Sequence, residues 1–327
     1  MRLAPSLLLA SSLLAASALA ARAEVKVVAS IKPVHSLVAA VMDGVGRPGL
    51  LVEGAGSPHT YSLKPSQARM LQSAGIVFWV GHEMESFLEK PLETVASKAK
   101  SVELIDAHGL VKLGFREGGA FEKHGHDDDH DHEKGAKDDH DREKAEADHE
   151  HRHREFDSHV WLDPMNAKAM AQEIVEALAK ADPANAAKYE ANAKMLAARL
   201  DALVAEVSAD LEPVKGKGFI VFHDAYRYFE NRFGLAASGS ITVSPEVMPG
   251  ARRVGEIRTK VRELGAACVF AEPQFEPKLV ATVIEGTSAK SGVLDPLGAA
   301  LKDGPELYFE LIRAMATSLK TCLSEAS

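Results

Sequence analysis

The chain predicts an α/β fold of two lobes, each a parallel sheet covered by helices, with a long rigid α-helix joining them. Three observations carry this. Short apolar runs alternate with helical stretches from Val25 to Ile105, the pattern of a helix-covered parallel sheet. The same alternation restarts after Pro213. Between the two, the helical stretch opened by Asp182-Pro183 runs unbroken to Leu211. Its apolar stripe is Tyr189, Ala193, Leu196, Leu200, Leu203, Val207 and Leu211, spaced four and three. About 30 residues at 1.5 Å each span roughly 45 Å, the length of a strut between lobes.

The elements follow in order. Val25 to Ile31 reads as a buried strand, and Pro33 opens a helix from Val34 to Met42. Gly44 to Gly49 matches a dinucleotide-binding glycine pattern on paper, but it follows a helix, precedes a strand and contains Pro48, so it is a turn. Leu50-Leu51-Val52 is a short strand. The loop after it carries His59, at a strand end where open α/β sheets place ligand groups. A helix with Ala68, Met70, Leu71 and Ala74, a central strand Ile76 to Val80, a helix from Met84 and a strand at Leu104-Ile105 complete the first lobe.

Asp157-Ser158-His159-Val160-Trp161-Leu162-Asp163-Pro164 puts a histidine on a short apolar strand end, then a helix start with an Asp cap and Pro at the first helical position. In the second lobe, a strand from Gly218 ends at His223-Asp224, and an aromatic-rich helix runs from Ala225 to Phe233. Ser240 to Val243, Cys268 to Pro273 and Val293 to Pro296 are strands or strand ends. Helices lie between them, and a last one follows from Glu306. The expected boundaries are a signal peptide 1–23, an N-terminal lobe 24–182, a linker helix 183–212 and a C-terminal lobe 213–327.

Composition limits the function classes. Of the formal charge of −9, most is local: Arg116 to Glu155 holds fifteen acids against eight bases, and the rest is near neutral. No basic patch with interleaved aromatics argues for nucleic acid. The same tract holds eight of the 14 histidines and one large apolar residue, Phe121, so it is expected to be a disordered loop that captures metal weakly. His149-Glu150-His151-Arg152-His153 inside it matches a zinc-protease motif, but every neighbour is charged and no apolar helix would rigidify it.

Met1-Arg2, the apolar run Leu7 to Ala20 and the small-x-small Ala21-Arg22-Ala23 read as a signal peptide cleaved after Ala23, which directs the mature chain to the periplasm. In that oxidising compartment the two cysteines, Cys268 and Cys322, are expected to be joined.

Four positions share one local grammar, an apolar strand that stops at a ligand-type residue: His59, His159, His223 and Asp295. Neutral imidazoles suit zinc, and three of them leave one coordination position for a carboxylate or water. The expected metal ligands are these four, with Zn2+ held between the lobes. His82 and Glu83 are second choices for the fourth position. Glu272 is a candidate to orient an imidazole.

The segments Gly56-Ser57-Pro58-His59-Thr60-Tyr61-Ser62-Leu63-Lys64-Pro65-Ser66-Gln67, Asp157 to Pro164, Phe222 to Glu230 and Leu294 to Gly298 resemble, in order, the zinc-specific solute-binding proteins of bacterial ABC importers, the ZnuA type. The resemblance covers essentially the whole mature chain. It implies two (βα) lobes about a rigid helix, an acidic histidine-rich loop in the first lobe, and His59, His159 and His223 as ligands. Asp295 matches the carboxylate that ligates metal in manganese-type relatives, whereas zinc-type members can use water. Cys268 and Cys322 look like the disulfide pair of zinc-type members. The implied partner is an ABC transporter membrane permease, and a monomer is expected. The rival readings are a manganese-type carrier of the same fold, a periplasmic metal buffer, and a zinc hydrolase with three histidines and a water.

Overall fold

The computed structural model describes residues 25–116, 121, 156–242, 249–263, 265–276 and 278–325. The signal-peptide reading, the zinc-protease look-alike and all of the charged tract except Arg116 and Phe121 lie outside the described residues.

Two four-stranded parallel sheets form the frame. The first contains β1 (Val27–Ala29), β2 (Gly49–Leu50), β3 (Ile76–Trp79) and β4 (Lys100–Glu103), in the order β2-β1-β3-β4. The second contains β5 (Phe219–His223), β6 (Gly239–Thr242), β7 (Cys268–Ala271) and β8 (Lys290–Val293), in the order β6-β5-β7-β8. Central strands β3 and β5 are buried along their whole length, which is why they read as continuous apolar runs rather than alternating ones. In both sheets the order reverses beside the first strand, so ligand groups gather outside the carboxyl ends there.

Helices α1 (Lys32–Val41), α2 (Pro65–Gln72), α3 (Glu89–Thr94) and α4 (Pro164–Ala181) belong with the first sheet. The long helix α5 (Ala186–Leu211) follows. Then come α6 (Arg227–Phe233), α7 (Ala251–Glu263), α8 (Lys278–Ile284) and α9 (Leu307–Glu325). Helix α5 packs on α4, α1 and α9, so it touches elements of both lobes. Leu196, Leu200, Leu203, Val207 and Leu211 line its buried face. Each such side chain contributes roughly 1.5–3 kcal/mol on burial. One large apolar cluster runs through β1, α1, α4, α5, α6 and α9 without a break between the lobes.

Several elements differ from the sequence reading. The long helix is 26 residues, because Pro183–Asn185 forms a separate 3-10 turn ahead of it. Leu104-Ile105 lies in a 3-10 turn after β4 rather than in a strand, and both side chains are buried there. His159 does not end a strand. It precedes the 3-10 turn Val160–Leu162, whose buried apolar run mimics a strand in sequence. The cysteines are joined, Cys268 on β7 to Cys322 on α9.

One buried carboxyl yields a pH prediction. Glu85 is fully buried, accepts from Ser30 Oγ at 2.5 Å, Val80 N at 3.1 Å and Gly81 N at 3.0 Å, and burial pushes it up to about 7. The folded state therefore keeps a proton between about 4.5 and 7 that the unfolded chain has released, and this stabilisation is lost as pH rises through that window. The contribution is roughly 3 kcal/mol. Glu85→Gln is expected to flatten the fall in stability from pH 5 to pH 8 in urea melts; an unchanged slope would assign that fall to other groups.

Candidate metal centre

Three histidines from distant parts of the chain meet between the sheets. His59 sits in the 3-10 turn Pro58–Thr60, on the loop after β2. Gln67 Nε2 and Tyr61 Oη both donate to the Leu51 carbonyl and tie this loop down, at 2.5 and 3.2 Å. The chain at Gly56 runs so close to Tyr61 that a Cβ there would stand 2.9 Å from its ring, so any other residue would have to push that ring aside. His159 follows an isolated antiparallel bridge between Gly114 and Phe156, and Trp161 Nε1 donates to the Pro296 carbonyl across the lobes at 2.9 Å. His223 is the last residue of β5.

Among the described residues, ligand atoms of His59, His159 and His223 form one group within 4.8 Å of each other. His159 Nε2 and His223 Nε2 stand 3.3 Å apart. Two ligands at about 2.0–2.1 Å from a tetrahedral ion stand roughly 3.3–3.4 Å apart, so this pair is spaced as zinc requires. His159 and His223 are 7% and 4% exposed, and His59 is half-buried.

Carboxylates set the tautomers. Asp157 Oδ1 accepts from the Nδ1–H of His159 at 2.6 Å and from its backbone N–H at 3.0 Å. Glu272 Oε1 does the same for His223, at 2.7 and 3.3 Å. With both Nδ1 atoms donating, the neutral form of each ring keeps its Nε2 lone pair for a cation, and the two Nε2 atoms face one another. Burial, then the neighbouring His159 and His223, lowers the His59 pKa well below its usual value, and burial does the same to His159. For His223, burial opposes protonation but the Glu272 carboxylate outweighs it and raises the pKa. Burial pushes Asp157 up to about 7.

Glu272, expected as an orienting group, holds an imidazole in place. It reaches His223 because β7 pairs with β5 in parallel, so both strands end on the same side. Asp157 lies inside the segment that carries His159, yet its role was not read. A carboxylate two residues before a histidine, bonding that histidine's own N–H, is the signal that was there to find. His82 and Glu83 lie exposed, and His82 Nδ1 is 3.3 Å from Glu89.

Asp295, expected to be the fourth ligand, stands outside the histidine group. Its Oδ1 accepts from Leu297 N and Gly298 N at 3.0 and 2.9 Å and from Gln274 Nε2 at 3.0 Å, while Oδ2 accepts from Ala299 N at 2.6 Å. The carboxylate thereby organises the turn after β8. Lys32 of α1 grips that turn from the other lobe, donating to the carbonyls of Ala299 and Leu301 at 3.2 and 2.8 Å.

Arg116 was likewise not read from sequence. Its guanidinium bonds Asp224, the neighbour of His223, and Glu230 of α6, the latter at 2.6 Å. Tyr228 Oη donates to the Asp157 carbonyl at 2.7 Å and accepts from Leu113 N at 3.0 Å. Arg116, and Leu113 and Asp157 on either side of the tract, are thus fastened to the second lobe beside two of the histidines.

The cavity lined by Ser57, His59, Met84, His159, Trp161, His223, Gln274, Phe275 and Leu297 holds about 10 Å3. That is room for one water-sized body.

The ZnuA profile, described as a zinc-uptake complex component A, periplasmic, matches residues 27–322. A high-affinity zinc uptake system protein ZnuA of Brucella suis biovar 1 (strain 1330) is 58% identical over 300 residues, 90% of each chain. The protein of that name from Yersinia pestis is 40% identical over 295 residues, 89% of each chain. A crystal structure of ZnuA superposes with a TM-score of 0.70 at 24% identity, over 90% of this chain and 99% of the other, a likeness of fold. With a profile that spans both sheets and a relative 58% identical over 90% of each chain, the chain belongs to the ZnuA family.

Proposed function

We propose that this protein is the periplasmic zinc carrier of an ABC importer: it takes Zn2+ between its lobes on His59, His159 and His223 and hands it to a membrane permease. The observation that carries the reading is the meeting of three imidazoles, two of them at tetrahedral spacing with their Nδ1 atoms already bound to buried carboxylates. Neutral nitrogen donors favour zinc over manganese, which prefers oxygen. Two carboxylates against one divalent ion leave the loaded centre formally neutral, which suits a buried site. The relatives' role in zinc uptake supports the same cargo, and the disulfide supports an oxidising compartment. Export follows cleavage after Ala23, and the carrier acts as a monomer.

The charged tract is an accessory in this reading. Calorimetric zinc titration of the mature chain is expected to give one tight site plus several weak ones, and deletion of residues 117–155, which spares Arg116, removes only the weak ones. Loss of the tight site with the tract would move the carrier site into the tract and overturn the assignment.

A further inference from the structure

We propose that helix α6 clasps the first lobe and that Arg116, capped by Phe121, is the releasable catch of that clasp, which sets how fast zinc leaves the centre. This rests on the three-histidine reading above, because the catch acts on lobes that hold the metal between them.

The seven residues of α6 reach the first lobe at three points. Arg232 donates from Nε and Nη2 to Asp163, the cap of α4, at 2.7 Å each. Tyr228 Oη donates to the Asp157 carbonyl and accepts from Leu113 N. Glu230 accepts from Arg116, with Nη1 at 2.6 Å and Nη2 at 3.0 Å. The same guanidinium donates through Nε to both oxygens of Asp224, at 3.0 and 3.1 Å, and Nη2 bonds that carboxylate as well. Asp224 directly follows His223. One cation thus joins two second-lobe carboxylates whose side chains are 9% and 4% exposed. The planar fork of arginine, with five donors, can meet two carboxylates at once, which a lysine ammonium cannot do in this geometry.

The three points differ in what stands behind them. Asp163 is fixed at the start of α4, where it accepts from Met165 N, and Asp157 is fixed against His159. Arg116 is held from its own side only through the chain. Five residues earlier, Asn166 of α4 bonds both the N–H and the carbonyl of Val111, and the bridge between Gly114 and Phe156 follows. Beyond Arg116, the other described residue of the charged tract is Phe121. Its ring centre lies 4.2 Å from the guanidinium carbon, and it packs against the main apolar cluster. This contact gives a role to the one large apolar residue of the tract: it covers a face of the guanidinium, and an ion pair kept from water is stronger. Two points of the clasp are therefore built into α4 and the His159 segment, and the third is built from the start of the tract. Removing one partner of a buried, hydrogen-bonded charge pair acts mainly on dissociation, so the catch governs release more than capture.

The test is stopped-flow release of zinc from the loaded mature protein into excess chelator, with the association rate and the zinc-free melting temperature measured alongside. Arg116→Met is expected to release zinc about tenfold faster, a change of about 1.4 kcal/mol, with association within about threefold of the parent. Phe121→Ala, and the 117–155 deletion that takes Phe121 with it, should release zinc about threefold faster and keep the tight site. Arg116→Met leaves two buried carboxylates without their cation and should melt lower. The triple variant Arg116→Met, Asp224→Asn, Glu230→Gln removes the three charges together. Its zinc-free melting temperature should recover toward that of the parent while release stays fast, a combination that a merely structural ion pair would not produce. Release from the triple variant within about twofold of the parent overturns the proposal, as does an association rate raised by the same factor as release. His223→Ala is the control. If it leaves tight binding intact, the three-histidine site itself fails; if it abolishes tight binding while the triple variant releases zinc at the parent rate, only the catch fails.

Discussion

Replacing His159 or His223 with alanine is expected to weaken zinc binding about 100- to 1000-fold. Four-coordinate protein zinc sites bind with about 10–16 kcal/mol, so one ligand in four accounts for roughly 2.5–4 kcal/mol. The loss has a second component at these two positions. Each histidine is the partner of a buried carboxylate, Asp157 or Glu272, and alanine leaves that carboxylate without its imidazole. The variants should therefore also melt lower in the zinc-free state, because an unpaired buried charge destabilises the fold. His59 bonds no carboxylate among the described hydrogen bonds, so His59→Ala should lose affinity with little change in zinc-free melting. Chelator competition and calorimetric melting of the three single variants check both halves. Equal zinc-free melting temperatures across the three would contradict the pinning role given to the carboxylates.

Removing the disulfide is expected to cost about 4 kcal/mol of stability, the chain-entropy value for a loop closed across 54 residues. Cys268 begins β7, and the strand's far end delivers Glu272 to His223. Cys322 lies on α9, which packs against both α5 and β8. The bond thus ties the terminal helix to the strand that supports the metal centre. Urea denaturation of the Cys268→Ser, Cys322→Ser double variant, with zinc and without, measures the loss. Because the link lies at the opposite end of β7 from Glu272, zinc affinity at low denaturant should change less than threefold. A tenfold loss would mean that the strand shifts without its clip.

Much of this protein was legible in the residues alone. The run Ile76 to Val80 reads as a strand buried on both faces, and its alternation with helical stretches pointed to the parallel sheets, although the similar runs at Leu104-Ile105 and Val160–Leu162 became 3-10 turns. Asp163-Pro164 marked a helix start through local backbone chemistry, and the structure shows Asp163 Oδ1 accepting from Met165 N at 2.8 Å. His59, His159 and His223 stood out because a histidine beside an apolar run and a turn is poised at a ligand-bearing edge. The two cysteines were readable as a pair in a chain read as exported, and Glu272 as a candidate to orient an imidazole.

What the tertiary structure decided were the roles that depend on partners far away in the chain. Asp295 has the residue type of a ligand, and in the fold three backbone N–H groups and Gln274 bond its oxygens. Asp157 and Glu272 choose the histidine tautomers through bonds of 2.6 and 2.7 Å, and Arg116 crosses to Asp224 and Glu230 of the other lobe. Sequence periodicity records which face of an element is buried, because burial follows the local repeat. Which donor meets which acceptor depends on how two lobes pack around one long helix, and no local repeat encodes that.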